Sequence, residues 1–338
     1  FLIAFVIRLL NALWMVAEPN LVLTEDAGYY WRGAQAWLDQ GVLTHMSRPG
    51  VYIAQTERVP LYHLFLVPFR WVFGDNLLPA LIGQAAISAF TCAIIAKFVG
   101  MLGPVVGVLG GLLAAFWPNL IIHAGMTLGD TLFLFFVTLL LLYCAKYLRG
   151  AQIRDAAIAG FLCGLATMTR PVAQFLPFAL FVVALLIARG HGKSWKSSFV
   201  ASAMLLTLAI TPAIPLLTRN FLKYDTLQLT SQTGTHLLGW IASAKGVQLD
   251  GRSFVSVNAE INLEFEAHAS SKNINLDELD PFARSRERTS FALERLKDIP
   301  PFLLLRIWLQ NAGINLSVPA ILGDPRVRKL KNISFYNL

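Results

Sequence analysis

The sequence has few charged residues. Asp, Glu, Lys and Arg make up only 14% of the 338 residues, against roughly 25% in a soluble domain. Hydrophobic residues make up 56% of the chain, and the mean hydropathy is +0.57. A soluble core of this size cannot bury so much apolar surface, whereas a lipid bilayer can accommodate it. The shortage of charge therefore predicts an all-α polytopic membrane protein.

Cysteine is also scarce, and phosphate-binding glycine loops are missing. The three cysteines, Cys92, Cys144 and Cys163, lie in or beside apolar runs without the spacing of metal ligands. They are interpreted as small apolar side chains in helices. The glycines between Gly103 and Gly111 lie in an apolar run, where they favour close helix packing over phosphate binding. No internal repeat or low-complexity tract is present.

About seven apolar runs approach the length that crosses roughly 30 Å of hydrocarbon. They are residues 1–17, 78–100, 102–123, 127–147, 155–170, 171–188 and 198–217. An eighth is predicted at 302–321, although its interior is polar. Because the sequence begins with Phe1 inside an apolar run and ends at Leu338 without a terminal signal, we expect a fragment at both ends.

Basic residues set the expected orientation. The connections near 97, 146–155 and 189–196 are rich in Lys and Arg, and Asp155 is their only acidic residue. The positive-inside rule therefore places them in the cytoplasm and the long loop 18–77 on the opposite, outer side. The net charge of +8 is divided into short clusters between apolar runs, so a nucleic-acid partner is not expected.

The predicted organisation has three parts. Residues 1–217 form the helix bundle, including the outer loop 18–77 with the candidate active site; residues 218–301 form an outer segment; residues 302–338 hold a further span and the start of a truncated C-terminal part. Within the outer loop, Tyr30, Ala34, Trp37 and Leu38 recur at helical spacing, and residues 61–73 have a similar pattern. Both segments are predicted to be interfacial helices, and residues 285–297 are predicted to be an amphipathic helix.

Five charged residues from distant parts of the chain fall on the outer face in this topology. They are Asp26, Arg58, Asp130, Arg170 and Arg219. Charges at membrane depth are costly and are usually functional or paired. Two carboxylates with three guanidiniums suit an anionic lipid phosphate, because the planar guanidinium holds phosphate oxygens through two hydrogen bonds.

Each of these residues also has a structural interpretation. Asp26 and Asp130 are placed to cap helices, Arg170 and Arg219 to extend from helix ends to the interface, and Arg58 to be an ordinary loop charge. Arg8, inside the first span, is expected to pair with an acid or reach the interface. His63 and His123 are isolated, which favours structural roles.

Several motifs, taken in order, resemble landmarks of the GT-C membrane glycosyltransferases, the group of dolichyl-phosphate-mannose–protein mannosyltransferases and bacterial lipid A aminoarabinose transferases. They are 24–30 (TEDAGYY) with 34–38 (AQAWL) and Gly41; 58–62 (RVPLY); 164–166 (GLA) with 169–171 (TRP); and 211–212 (TP) with 219–220 (RN) and Gly234. The motifs are short, but the ordered set covers nearly the whole chain. The chain departs from the pattern at Ala213, where the family usually has tryptophan, and relatives are longer.

The resemblance implies an inverting transfer, on the outer face of the membrane, of a sugar from a polyprenyl-phosphate donor to a lipid, glycan or protein acceptor. Asp26 matches the first-loop carboxylate that acts as general base in the family, and Glu25 is the second candidate. Arg58, Arg170 and Arg219 are expected to bind the donor phosphate. The further substrate-site candidates are Tyr30, Tyr62, His63, Asp130 and Asn220.

No nucleotide or redox cofactor is expected, because a phosphate-linked sugar is already activated. No metal site is predicted either, although some relatives need a divalent cation. The expected location is a bacterial inner membrane with the site facing the periplasm. Two alternatives from other classes stay open: a transporter or flippase for a lipid-linked anion, and a non-catalytic subunit of a cell-envelope assembly.

Overall fold

The computed structural model describes residues 1–17, 22–23, 25–48, 51–248, 250–297 and 299–317. Regular structure in these residues is almost entirely helical, with one short antiparallel pair of strands. This confirms the prediction of an all-α membrane protein. The chain divides into two compact units, Phe1–Leu216 and Leu217–Leu338, and each unit is described by itself.

The first unit contains the long apolar helices. Its helices are α1 (Leu2–Val16), α2 (Glu25–Gln40), α3 (Leu61–Phe73), α4 (Leu78–Val99), α5 (Pro104–Phe116), α6 (Pro118–Ala124), α7 (Asp130–Gly150), α8 (Ile153–Thr169), α9 (Leu176–Gly190) and α10 (Trp195–Ile210). Strands β1 (Thr44–Arg48) and β2 (Val51–Ala54) pair between α2 and α3. The two helices predicted within the loop 18–77 are thus confirmed as α2 and α3.

Fewer helices qualify as membrane spans than the sequence predicts. By length and composition, four described helices can cross a membrane: Leu78–Leu102, Asp130–Gly150, Pro171–Gly190 and Trp195–Tyr224. The predicted span 102–123 is broken instead into α5 and α6, which meet at 53° and bring the number to five if counted as one span. Helices α1 and α3 are apolar but shorter, and α8, at the predicted span 155–170, has 17 residues.

The break between α5 and α6 has a covalent cause. Trp117 is extended, and Pro118 has no N–H to donate to the carbonyl of Ala114. The fully buried Arg8 of α1 donates from Nη2 to this carbonyl (3.1 Å) and from Nη1 to the carbonyl of Ala115 (3.0 Å). The Trp117 N–H also donates to the Ala114 carbonyl, at 3.4 Å, so the guanidinium supplements the few donors that the bent helix retains.

The expectation that Arg8 pairs with an acid or reaches the interface is wrong. Besides the carbonyls at the break, its guanidinium donates to Ser88 Oγ at 2.6 Å, the Ala4 carbonyl at 3.1 Å and Cys92 Sγ at 3.2 Å. Carbonyl and hydroxyl dipoles thus solvate a charge that has no carboxylate beside it among the described residues. The sequence does not reveal this arrangement, because four of the five acceptors lie on segments that are distant from Arg8 in the sequence.

The second unit contains shorter helices. They are α11 (Ile214–Tyr224), which begins just before the unit boundary, α12 (Thr233–His236), a π-helix (Leu237–Ala242), α13 (Ala244–Gln248), α14 (Phe254–Ser271), α15 (Pro281–Lys297) and α16 (Pro301–Ser317). Helix α15 includes the amphipathic helix predicted at 285–297 and confirms it. Helix α16 covers part of the predicted eighth span, whose last residues lie outside the described chain.

A small core holds the second unit together. Val257, Ile261 and Phe265 recur every four residues along α14 and are buried against Leu238 of the π-helix and Phe291 of α15. This spacing buries one face of α14. The adjacent positions on α14 are left to face away from the core.

The Arg8 contacts predict a strong dependence of stability on this side chain. Arg8→Leu should lower the free energy of unfolding by about 3 kcal/mol, because it removes five buried hydrogen bonds at once. Ser88→Ala removes one acceptor only and should cost about 1 kcal/mol. Thermal unfolding of the two variants in the same detergent measures the difference. An Arg8→Leu protein as stable as the wild type would contradict the proposed solvation of the break.

Candidate active site

Helix α2 presents the first-loop carboxylate. The helix begins at Glu25, so Asp26 lies in its first turn and does not cap it. A Cβ on Gly28 would lie 2.5 Å from the Leu23 carbonyl oxygen. Only glycine at this position therefore allows the helix to pack so closely against the preceding segment. Thr127 Oγ1 donates to the Ala27 carbonyl at 3.2 Å. These contacts fasten the acidic segment to the loop before α7.

Asp26 forms an ion pair with Arg58. Arg58 Nη2 lies 2.5 Å from Asp26 Oδ1, and the side chains are 16% and 60% exposed, respectively. The guanidinium thus lies beneath a carboxylate that is open to solvent. Arg58 is therefore more than the ordinary loop charge of the structural interpretation.

Gln55 fixes the chain that carries Arg58. Its fully buried side chain accepts hydrogen bonds through Oε1 from the N–H groups of Glu57 (2.8 Å) and Arg58 (3.2 Å). Its Nε2 donates to the Tyr29 hydroxyl at 2.9 Å. The Arg58 guanidinium also lies 5.4 Å from the centre of the Tyr29 ring, a cation–π distance.

Burial shapes the ionisation of this cluster. It raises the pKa of Tyr29 to about 12, although the Gln55 hydrogen bond acts in the opposite direction. Burial lowers the pKa of Arg58, but Asp26, Tyr30 and Glu57 together more than compensate, and the net pKa is raised. At neutral pH Tyr29 is therefore a neutral hydroxyl and Arg58 a fixed cation.

A second ion pair joins two of the long helices. Asp130 is the first residue of α7, and Arg170 directly follows the end of α8; Arg170 Nη1 contacts Asp130 Oδ1. Both side chains are partly exposed, at 45% for Arg170 and 34% for Asp130. Asp130 favours the positive end of the α7 dipole, but Gly129 is the cap residue.

Tyr30 lies within electrostatic range of both ion pairs. Burial is the main cause of its raised pKa; Arg58 and Arg170 lower that pKa, while Asp26 and Asp130 raise it. Its ring meets Tyr62 edge-on at a centroid distance of 5.0 Å. The Asp26–Arg58 and Asp130–Arg170 pairs therefore both lie within electrostatic range of one aromatic side chain. These five residues are called the paired-charge site below.

Tyr62 and His63, two predicted substrate-site residues, are fully buried. The Tyr62 hydroxyl donates to Gln84 Oε1 at 2.7 Å, and Gln84 Nε2 donates to the carbonyls of His123, Ala124 and Met126. Tyr62 thus connects α3 to the loop before α7. Such burial gives it a supporting position behind Tyr30.

His63 packs into a space that glycine leaves. A Cβ on Gly33 would lie 2.6 Å from the imidazole Cδ2, and the Tyr30 ring is 5.0 Å away on another side. Burial lowers the pKa of His63 to about 4, although the Val59 carbonyl opposes this shift. His63 is therefore neutral at pH 7, and its full burial favours the structural role.

Two predicted residues belong to the second unit. Arg219 donates from Nε (3.0 Å) and Nη2 (2.7 Å) to Oδ1 of the buried Asn220. Asn220 Nδ2 in turn donates to the Gln228 carbonyl at 2.6 Å. This network ties the end of α11 to the following loop. The side chain of Glu25, the second candidate base, lies outside the described residues.

Sequence reasoning missed the polar residues that hold the site. Gln55, Gln84 and Thr127 are buried and bond to the segments that carry Asp26, Arg58 and Tyr62. Gln84 had a usable signal, because it is a polar residue in the interior of a predicted span. Gln55 and Thr127 had none, since they resemble ordinary loop residues.

A cavity of about 230 Å³ opens beside Asp130. It is lined by polar and apolar side chains of α4, α6 and α7, among them Thr91, His123 and Phe133. In the part of the chain that the structure describes, no group of three or more His, Cys, Asp or Glu side chains could hold a metal ion. The expectation that the protein needs no cofactor stays a prediction.

Part of the chain matches a known protein family. Residues 57–217 match the family described as dolichyl-phosphate-mannose-protein mannosyltransferase, and no curated protein matches the chain significantly. The match confirms the resemblance to the GT-C superfamily and supports a membrane glycosyltransferase with a polyprenyl-phosphate-sugar donor. It includes Arg58, Asp130 and Arg170 but begins after Asp26.

His63 predicts a specific pH dependence of stability. Its pKa is about 4 in the folded chain, against an ordinary value of 6.5, so the unfolded chain binds the proton more readily between these values. The stability that neutral His63 contributes is complete above about pH 7 and is lost as pH falls towards 4, by about 3 kcal/mol in total. Other groups titrate too, so the comparison must be with His63→Asn.

The measurement is the difference in melting temperature between wild type and His63→Asn from pH 8 to pH 4.5. We expect the wild type to lose its advantage over the variant as pH falls. A constant difference across this range would contradict a buried, neutral His63.

Proposed function

We propose that this chain, a relative of the GT-C membrane glycosyltransferases, transfers a sugar from a polyprenyl-phosphate donor to an acceptor hydroxyl with Asp26 as general base. The observation that carries the proposal is the paired-charge site, in which both acid–arginine pairs lie within electrostatic range of Tyr30. A carboxylate is needed to activate the acceptor hydroxyl, and a guanidinium is needed to stabilise the departing phosphate, so the two must lie close together.

Exposure favours Asp26 as the base. Its carboxylate is 60% exposed, against 34% for Asp130, and a base must be reachable by the acceptor hydroxyl. Arg58 is mostly buried beneath it and fixes its direction. A catalytic carboxylate needs such a neighbour, because its orientation must be fixed for proton transfer.

The arginines suit the donor phosphate. Arg58 and Arg170 are each held by a single carboxylate oxygen, which leaves further N–H groups of each fork for phosphate oxygens. An incoming phosphate also competes with each carboxylate for the guanidinium N–H group that now binds it. We therefore propose that donor binding loosens the Asp26–Arg58 pair and makes Asp26 a stronger base.

The proposed reaction is a single displacement. The acceptor oxygen forms a bond to the anomeric carbon while the bond from that carbon to the phosphate oxygen breaks, which inverts the anomeric configuration. The acceptor proton passes to Asp26, and the electron pair of the broken bond leaves with the polyprenyl phosphate. Arg58 and Arg170 stabilise the negative charge that grows on the leaving phosphate.

The location and the substrates complete the proposal. We place the site on the outer face of a multi-pass membrane protein, in a bacterial inner membrane, with a lipid, glycan or protein as acceptor. A transporter would need a charged path through the bundle, whereas the deep charge of Arg8 is occupied by backbone carbonyls. An assembly subunit would tolerate the loss of Asp26.

The first test removes the base. Asp26→Asn should lower the transfer of radiolabelled sugar from polyprenyl-phosphate mannose by about 100-fold or more, because the amide cannot accept the proton. The matched control is Asp39→Asn on the same helix, an exposed carboxylate bonded to Gln35 and Tyr52, which should leave the rate unchanged. Retained turnover in a folded Asp26→Asn protein would exclude Asp26 as the base.

The second test separates positive charge from guanidinium geometry. Arg170→Lys keeps a cation beside Asp130 but loses the fork, so kcat/KM for the donor should fall by about 100-fold. Arg154→Lys, at the exposed start of α8, is the control. Equal rates for both variants would remove Arg170 from the donor site.

A further inference from the structure

The second unit contains a cavity of about 190 Å³ that is separate in sequence from the paired-charge site. Its walls combine the aromatic rings of Trp240 and Phe254 with polar side chains of Thr235, Asn258, Asn262 and Arg288. All of them lie between α12 and α15. Helix α14 divides its faces accordingly, with positions 254, 258 and 262 at the cavity and 257, 261 and 265 in the core.

An exposed aromatic surface forms one wall. The Trp240 indole stacks on the Phe254 ring with centroids 4.6 Å apart and planes inclined by 23°. Trp240 remains 49% exposed, so its indole is open to a ligand. It belongs to the π-helix Leu237–Ala242, and π-helical turns are rare and frequently occur at functional sites.

Amide groups are fixed on another wall. Asn258 Nδ2 donates to the Gly239 carbonyl at 3.0 Å, and a Cβ on Gly239 would lie 3.1 Å from that nitrogen. Asn262 Nδ2 donates to Asn258 O and Oδ1, at 2.7 and 2.8 Å. Within the described chain these two bonds use both amide hydrogens of Asn262, so its Oδ1 can accept from a ligand hydroxyl.

A cation completes the cavity. Arg288 Nη1 donates to Thr235 Oγ1 at 3.1 Å, and its guanidinium lies 5.7 Å from the centre of the Phe265 ring. The guanidinium is therefore held in place at the rim of the cavity. Arg288 is the only charged side chain among the described residues that line the cavity.

This combination suits a sugar ring. A pyranose has an apolar face of C–H groups, which stacks on an indole, and a rim of hydroxyls, which exchange hydrogen bonds with amides and guanidinium. A phosphate would favour several cations, and a purely apolar ligand would leave Asn262 Oδ1 without a donor. The volume is on the scale of one monosaccharide unit.

We infer that this cavity binds one pyranose unit of a glycan. The identification of that glycan as the acceptor rests on the proposed function, whereas the binding itself does not. The cavity would then select acceptors by a sugar unit that does not react, so that a glycan or glycolipid acceptor is favoured over an unmodified peptide.

The test measures sugar binding without catalysis. The full chain is placed in lipid nanodiscs free of glycolipids and sugar-headed detergents, which would compete for the cavity. Saturation-transfer NMR is then recorded with methyl pyranosides of mannose, glucose, galactose and N-acetylglucosamine. We expect transfer to the ring protons of at least one pyranoside. Trp240→Ala and the nearly isosteric Asn262→Leu should each weaken binding about tenfold or more.

Two controls make the outcome decisive. Trp195→Ala, which removes another exposed tryptophan, in the first unit, should bind the pyranoside as the wild type does. Asp26→Asn should lose transfer but keep this binding. A folded wild type that saturates none of the pyranosides, or equal binding by wild type and both cavity variants, would overturn the inference. Sugar binding without any transfer from the polyprenyl-phosphate donor would instead overturn the proposed function.

Discussion

The first unit depends on the way in which one buried guanidinium is solvated. Arg8 donates to the carbonyls of Ala114 and Ala115, at a break that Pro118 imposes. In apolar surroundings, carbonyls without donors would make this break too costly. Because the break is stabilised, α6 turns away from α5, and the carbonyls near its end become available to Gln84. Gln84 then fixes Tyr62. The position of the paired-charge site therefore follows from a contact made by the first helix.

The two ion pairs of that site differ in a way that suits different tasks. Arg58 is buried and Asp26 exposed, whereas Asp130 and Arg170 are both partly exposed. An exposed pair contributes little to stability, since water and side-chain entropy offset its attraction. The Asp130–Arg170 pair is thus not needed mainly to hold the fold. Tyr30 lies within electrostatic range of all four charges.

Sequence reasoning succeeded where a residue's environment follows from nearby sequence. The apolar runs predicted the all-α fold, and helical spacing around Tyr30 and in 61–73 predicted α2 and α3. It failed where a contact joins distant segments. Two acceptors of Arg8 are backbone carbonyls more than 100 residues away, and no side-chain pattern marks them. Likewise, hydropathy placed one span at 102–123, because an average over a window does not register the single N–H that Pro118 lacks.

The grouping of the site residues does not depend on the number of membrane spans, although the sequence alone suggests that it does. From the sequence, five charges fall on one face only if every span is counted correctly. Among the described residues fewer helices are clear spans than the sequence predicts, yet Asp26, Arg58, Asp130 and Arg170 form two ion pairs within electrostatic range of Tyr30. Their association is therefore independent of the number of spans. The side of the membrane on which the reaction takes place is a separate question, whereas the chemistry of an acid beside a guanidinium depends only on their proximity.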